Sequence, residues 1–61
     1  MYQASIKNVT RGTWLMSETH GKIRYTKDAD KRLIFHDEND AEETLILVDD
    51  YTPDCHVLCL E

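Results

Sequence analysis

The chain has 61 residues, 41% of them hydrophobic and 31% charged, and a formal net charge of −5. A domain this short removes only about 60% of its unfolded surface from water, so a stabilising device is expected: a disulfide, a metal or a covering partner. No apolar run approaches the roughly 20 residues that span a bilayer, and a content of one Pro and two Gly argues against disorder.

From the N-terminus onward the apolar residues recur mostly every second position, the period of a strand. In YQASIK, Tyr2, Ala4 and Ile6 alternate with Gln3, Ser5 and Lys7. Arg11-Gly12 is a turn candidate. TWLM (13–16) places Trp14 and Met16 on one face and Leu15 on the other. Gly21, within SETHG, tolerates the positive φ of a reversal. KIRYT (22–26) directs Ile23 and Tyr25 inward and Lys22, Arg24 and Thr26 outward. KDADK (27–31) reads as a charged connector, and RLIFH (32–36) as a strand with Leu33 and Phe35 on one face. Together they predict a hairpin, KIRYT–KDADK–RLIFH.

DENDAEE (37–43) reads as an exposed loop or as one helical turn with Asn39 or Asp40 as N-cap. TLILV (44–48) and CHVLCL (55–60) are apolar on both faces, with the Pro53-containing DDYTPD turn between them. Leaving one side of such strands in water would forgo roughly 1.5–3 kcal/mol per aliphatic side chain. They are therefore expected in the middle of a closed barrel, or at an interface where the 55–60 strand pairs with a second copy as a sheet edge. The predicted fold is all-β, a small antiparallel barrel or strongly curved sheet of five to six short strands. The alternative is α+β with one short helix near 38–46.

Charge is divided along the chain. Residues 1–36 hold all seven basic side chains (Lys7, Arg11, Lys22, Arg24, Lys27, Lys31, Arg32) and three acids, Glu18, Asp28 and Asp30. From Asp37 on there are nine acids (Asp37, Glu38, Asp40, Glu42, Glu43, Asp49, Asp50, Asp54, Glu61) and no Lys or Arg. Glu42, Glu43, Asp49 and Asp50 flank an aggregation-prone aliphatic run as gatekeepers. Asp37, Glu38 and Asp40 exceed that need. Either the two blocks cancel within the fold, or the carboxylates form a surface that steers a basic partner.

The remaining motifs are weak. Cys55 and Cys59, four apart on a strand, lie about 13 Å from each other at roughly 3.3 Å per residue, too far to share a zinc ion or a disulfide. His20, His36 and His56 are scattered, and neither Ser5 nor Ser17 stands in a nucleophile pattern. The 37–43 acids lack the Gly and ligand positions of a calcium loop. No metal, cofactor or catalytic residue is therefore expected. MYQASIKNVTRG lacks the apolar stretch of a signal peptide, so a cytoplasmic setting with reduced cysteines is expected, and Asn8-Val9-Thr10 is then a chance glycosylation match.

These features lead to a non-enzymatic acidic interaction module. Asp37, Glu38, Asp40, Glu42, Glu43, Asp49, Asp50, Tyr51 and Asp54 would dock a basic, possibly nucleic-acid-binding, surface of a partner protein. The format suits an inhibitor or adaptor encoded by a virus or mobile element. Two alternatives stand beside it: a small nucleic-acid-binding barrel using Lys22, Arg24, Lys31 and Arg32 with Tyr25, and a structural homodimer subunit. Net negative charge weighs against the first of these.

Overall fold

Two left-handed turns organise the sheet. His20 (φ 52°) and Gly21 (φ 82°) form a two-residue loop between the paired Thr19 and Lys22, the turn geometry that matches strand twist. Gly12 (φ 66°) ends the other loop, its N–H donating to the Asn8 carbonyl at 2.9 Å. The computed structural model describes all 61 residues. Its elements are β1 (Ala4–Asn8), β2 (Thr13–Thr19), β3 (Lys22–Thr26), a 3-10 turn at Ala29–Lys31, α1 (Glu38–Tyr51) and β4 (His56–Leu60). All strands pair antiparallel in one four-stranded sheet of order β3-β2-β1-β4.

The architecture is α+β. The sheet is open rather than closed into a barrel, and it has four strands rather than five or six. Two of the expected strands account for the difference. Residues 44–48 are helical because Asp37 caps α1, its side chain accepting from the Asn39 N–H at 2.9 Å. Ala41, Leu45 and Val48 then recur at helical spacing, with Ala41 and Val48 fully buried. One helix covers one sheet face, which a chain this short achieves more readily than barrel closure.

Residues 32–36 form no strand of their own, and the expected hairpin with 22–26 is replaced by pairing of β3 with β2. The Asp28 side chain accepts from the Asp30 N–H at 3.0 Å and winds the chain into the 3-10 turn. A bulge between Leu15 and Ser17 turns β2 away from β1, whose direct register with β2 is confined to Lys7↔Trp14 and Asn8↔Thr13. Leu33 and Phe35 link the two strands where they diverge. Leu33 N–H donates to the Leu15 carbonyl at 2.8 Å, and Ala4 and Phe35 exchange bonds of 3.0 and 2.7 Å.

Register assigns the faces. Ile6↔Leu58 and Leu15↔Tyr25 point toward α1, whereas Lys7↔Trp14, Lys7↔Val57 and Trp14↔Thr26 point away. The core on the helix-covered side is Ile6, Leu15 and Val48, with Ile23, Tyr25, Leu33, Phe35, Leu45 and Leu58 packed around it. Cys55 and Cys59 are free thiols. No helix is long and apolar enough to cross a membrane.

The Tyr51 ring rests on the β2–β3 turn: a Cβ added at Gly21 would lie 3.2 Å from its Cε2. In the left-handed region an L side chain costs about 1–2 kcal/mol. Gly21→Ala should therefore lower the stability measured by urea unfolding by at least that much. Gly12→Ala, whose Cβ would meet nothing within 4 Å, should show the backbone cost alone.

Candidate interaction surface

Burial of Ala41, Leu45 and Val48 fixes which side of α1 meets solvent. At the centre of that outward side stands Ile46, an aliphatic residue 63% exposed. On a helix its side-chain neighbours are three and four positions away. Here those neighbours are Glu42, Glu43, Asp49 and Asp50, every one an acid. The sequence pattern conceals this arrangement, because a strand reading gives Ile46 and Val48 to one face. The helical period reveals it.

Apart from Asp49, the carboxylates from Asp37 onward fall into two groups. Asp54 and Glu61 are matched by cations of the same chain: Arg11 Nε donates to Asp54 at 2.8 Å, and Arg32 bonds Glu61. Asn8 Nδ2 also donates to Asp54 at 3.0 Å, and Ser5 Oγ to Glu61 at 2.8 Å. Asp54 therefore fastens the β1–β2 loop to the β4 approach, away from the outward face of α1. By contrast Asp37, Glu38, Asp40, Glu42, Glu43 and Asp50 are exposed and make no ion pair. Tyr51, 60% exposed, is the last helical residue and is engaged with Gly21.

Asp49 has a second role. Its carboxylate meets His56 Nδ1 at 2.9 Å, and His56 Nε2 meets the Tyr25 hydroxyl at 2.8 Å. The His56 side chain is fully buried. A neutral ring with its proton on Nδ1 satisfies every partner: Nδ1–H donates to Asp49, and Tyr25 O–H donates to Nε2. This chain of groups ties the end of α1 to β4 and β3. No pocket beside it, or elsewhere in the molecule, would enclose a small molecule, and no three His, Cys, Asp or Glu side chains gather as a metal site.

The anionic field of α1 extends to the N-terminal segment. Burial first, and then the Glu38 and Glu42 carboxylates, push the Tyr2 phenol above its usual range. Its hydroxyl is enclosed without a hydrogen-bond partner. On the other side of the sheet, the strand-borne cations Lys7, Lys22 and Arg24 all project from the open face. Lys7 Nζ lies 5.3 Å and Arg32 Cζ 5.7 Å from the centroid of the Trp14 ring. Tyr25 lies on the opposite, helix-covered face and is not part of that group.

Comparison with protein-family models, curated proteins and solved structures returns no match.

The matched carboxylates set an acid limit. Hydrogen bonds from Asn8 and then Arg11 hold Asp54 below the usual carboxylate range, and Arg32 and then Ser5 do the same for Glu61. A lowered folded-state pKa contributes stability above the unfolded value, about 4 for both residue types, that is lost as pH falls through the lowered value. Thermal melts should therefore show a steep loss of midpoint below about pH 4. Glu61→Gln should start lower at neutral pH and fall less steeply.

Proposed function

We propose that this protein is a non-enzymatic interaction module whose outward α1 face docks a basic surface of a partner protein, as an inhibitor or adaptor. The observation that carries the reading is Ile46, exposed and surrounded at all four helical neighbour positions by carboxylates. Interfaces draw their energy from central apolar anchors that become fully desolvated, and their orientation and association rate from the charged rim. Ile46 supplies the first, and Glu42, Glu43 and Asp50 supply the second, with Asp37, Glu38 and Asp40 extending the negative field toward the helix N-terminus. A nucleic-acid-binding groove of the partner is the sharpest fit, because its cations are already spaced for a row of anions.

The energetics of the free helix support the same reading. Glu38–Glu42 and Asp40–Glu43 are like-charge pairs at helical contact spacing, each unfavourable by about 0.2–0.5 kcal/mol. Asp49 and Asp50 stand in the last turn, where no cation offsets the helix dipole. A cationic partner would relieve both costs.

A homodimer through the free edge of β4 is a second reading. His56–Leu60 contains no Lys, Arg, Asp, Glu or Pro, and Leu60 is 73% exposed, so the edge lacks the usual guards against pairing. Edge-to-edge pairing would, however, draw two acidic helices toward each other.

The triple variant Glu42→Gln, Glu43→Gln, Asp50→Asn separates binding from folding. It should raise the stability of the free protein by up to about 1 kcal/mol. In quantitative affinity capture from source cells it should lose the partner, as should Ile46→Ala at unchanged charge. Equal recovery of the same proteins by wild type and both variants would overturn the proposal.

A further inference from the structure

The sheet separates the two charge blocks in space. Every cation carried by a strand (Lys7 on β1, Lys22 and Arg24 on β3) lies on the face turned away from α1. None of the three has an ion-pair partner. The one strand acid, Glu18, is paired with Ile23 and so belongs to the helix side. Glu61, at the end of β4, is taken up by Arg32 and Ser5. The 27–31 connector adds Lys27 and Lys31 against Asp28 and Asp30, for no net charge.

At the centre of this face stands Trp14. The row Val57, Lys7, Trp14, Thr26 crosses all four strands. Val57 is 43% exposed, and the Arg32 guanidinium lies over the Trp14 ring. An exposed sheet face with an aromatic ring, a guanidinium plane and unpaired cations is what an unpaired nucleic-acid strand requires. Bases stack on the rings and planes, and phosphates meet the ammonium and guanidinium groups. We infer that the open face around Trp14 binds single-stranded nucleic acid, with Trp14 and Arg32 as the stacking platform and Lys7, Lys22 and Arg24 as the phosphate contacts.

The net charge of −5 does not decide the matter, because the field at a surface is local. An α-helix with its side chains is about 10–12 Å across. The outward carboxylates of α1 therefore lie beyond the Debye length, about 8 Å at physiological ionic strength, from the opposite face. A second copy's acidic helix is the competing occupant. It is also anionic, but its one aromatic ring, Tyr51, is engaged with Gly21 at the end of the helix and no ring stands among the outward carboxylates, so the base-bearing polymer is the better fit. This inference is independent of the partner-docking role of α1, since the two surfaces lie on opposite sides and can be filled together.

Trp14 is the only tryptophan, so its emission reports on this face alone. The full chain is titrated with a fluorescently labelled twelve-nucleotide oligo-dT and its oligo-U equivalent at low salt, following Trp14 quenching and oligonucleotide anisotropy. The expected result is quenching together with rising anisotropy. With three phosphates neutralised, affinity should fall about twentyfold between 50 and 200 mM salt. Lys7→Gln combined with Arg24→Gln should abolish binding while circular dichroism stays native, and Trp14→Ala should weaken the anisotropy-detected affinity about tenfold. The Glu42→Gln, Glu43→Gln, Asp50→Asn variant should bind as wild type does. No quenching at low salt would overturn the inference, as would binding unchanged in the Lys7/Arg24 variant. Quenching without nucleic acid that grows with protein concentration and vanishes in the α1 variant would assign the face to a second copy instead.

Discussion

The packing of Val48 against Ile6 and Leu15 is the contact on which the rest of the molecule depends. At about 0.05–0.15 kcal/mol per residue, a chain of this length has roughly 3–9 kcal/mol of total stability. Truncating one fully buried aliphatic side chain commonly removes about 2–5 kcal/mol, so each of these three side chains carries a large share of the total. That single contact orients the helix. With Ala41, Leu45 and Val48 turned inward, Glu42, Glu43, Ile46 and Asp50 have only solvent to face. By the strand period, Lys7, Trp14 and Arg24 must then leave the sheet on its other side. The separation of charge follows from the core.

Polar ties then close the ends that the small core cannot hold. Asp54 gathers Asn8 and Arg11, Glu61 gathers Ser5 and Arg32, and His56 joins Asp49 to Tyr25. Each joins residues distant in sequence, and each consumes an acid or a histidine that would otherwise be free. They add long-range cross-links to a chain whose two cysteines are free thiols. Among the nine acids from Asp37 onward, those left without an ion pair all lie on α1 and its cap.

Much of this was legible in the residues. The period of two in YQASIK and KIRYT announced β1 and β3, the run CHVLCL, apolar on both faces, announced β4, and Gly21 marked a reversal that is now seen as a left-handed pair with His20. Residues 44–48 misled because Thr44, Ile46 and Val48 are β-branched and the whole run is apolar. Ala41, which completes the helical spacing with Leu45 and Val48, lies outside that run, and the cap is Asp37 rather than the expected Asn39 or Asp40. Residues 32–36 misled for another reason. Leu33 and Phe35 do face one way, but toward strands 18 and 31 residues earlier, and a local period cannot reveal that partner. Exposure of Asp37, Glu38 and Asp40 could be anticipated from charge alone. The pairing of Asp54 could not, because Asn8 and Arg11 are more than forty residues away, and Ile46 stood out only once the helix was known.

The most direct measurement is methyl NOE spectroscopy on the isotope-labelled chain. The account predicts cross-peaks from Val48 methyls to both Ile6 and Leu15 methyls, none from Ile46 to the core, and helical shifts from Glu38 to Tyr51. Extended-chain shifts across 44–48, with Ile46 and Val48 sharing the same core contacts, would show that these residues form a strand. The acidic outer face, and the open sheet opposite it, would then not exist.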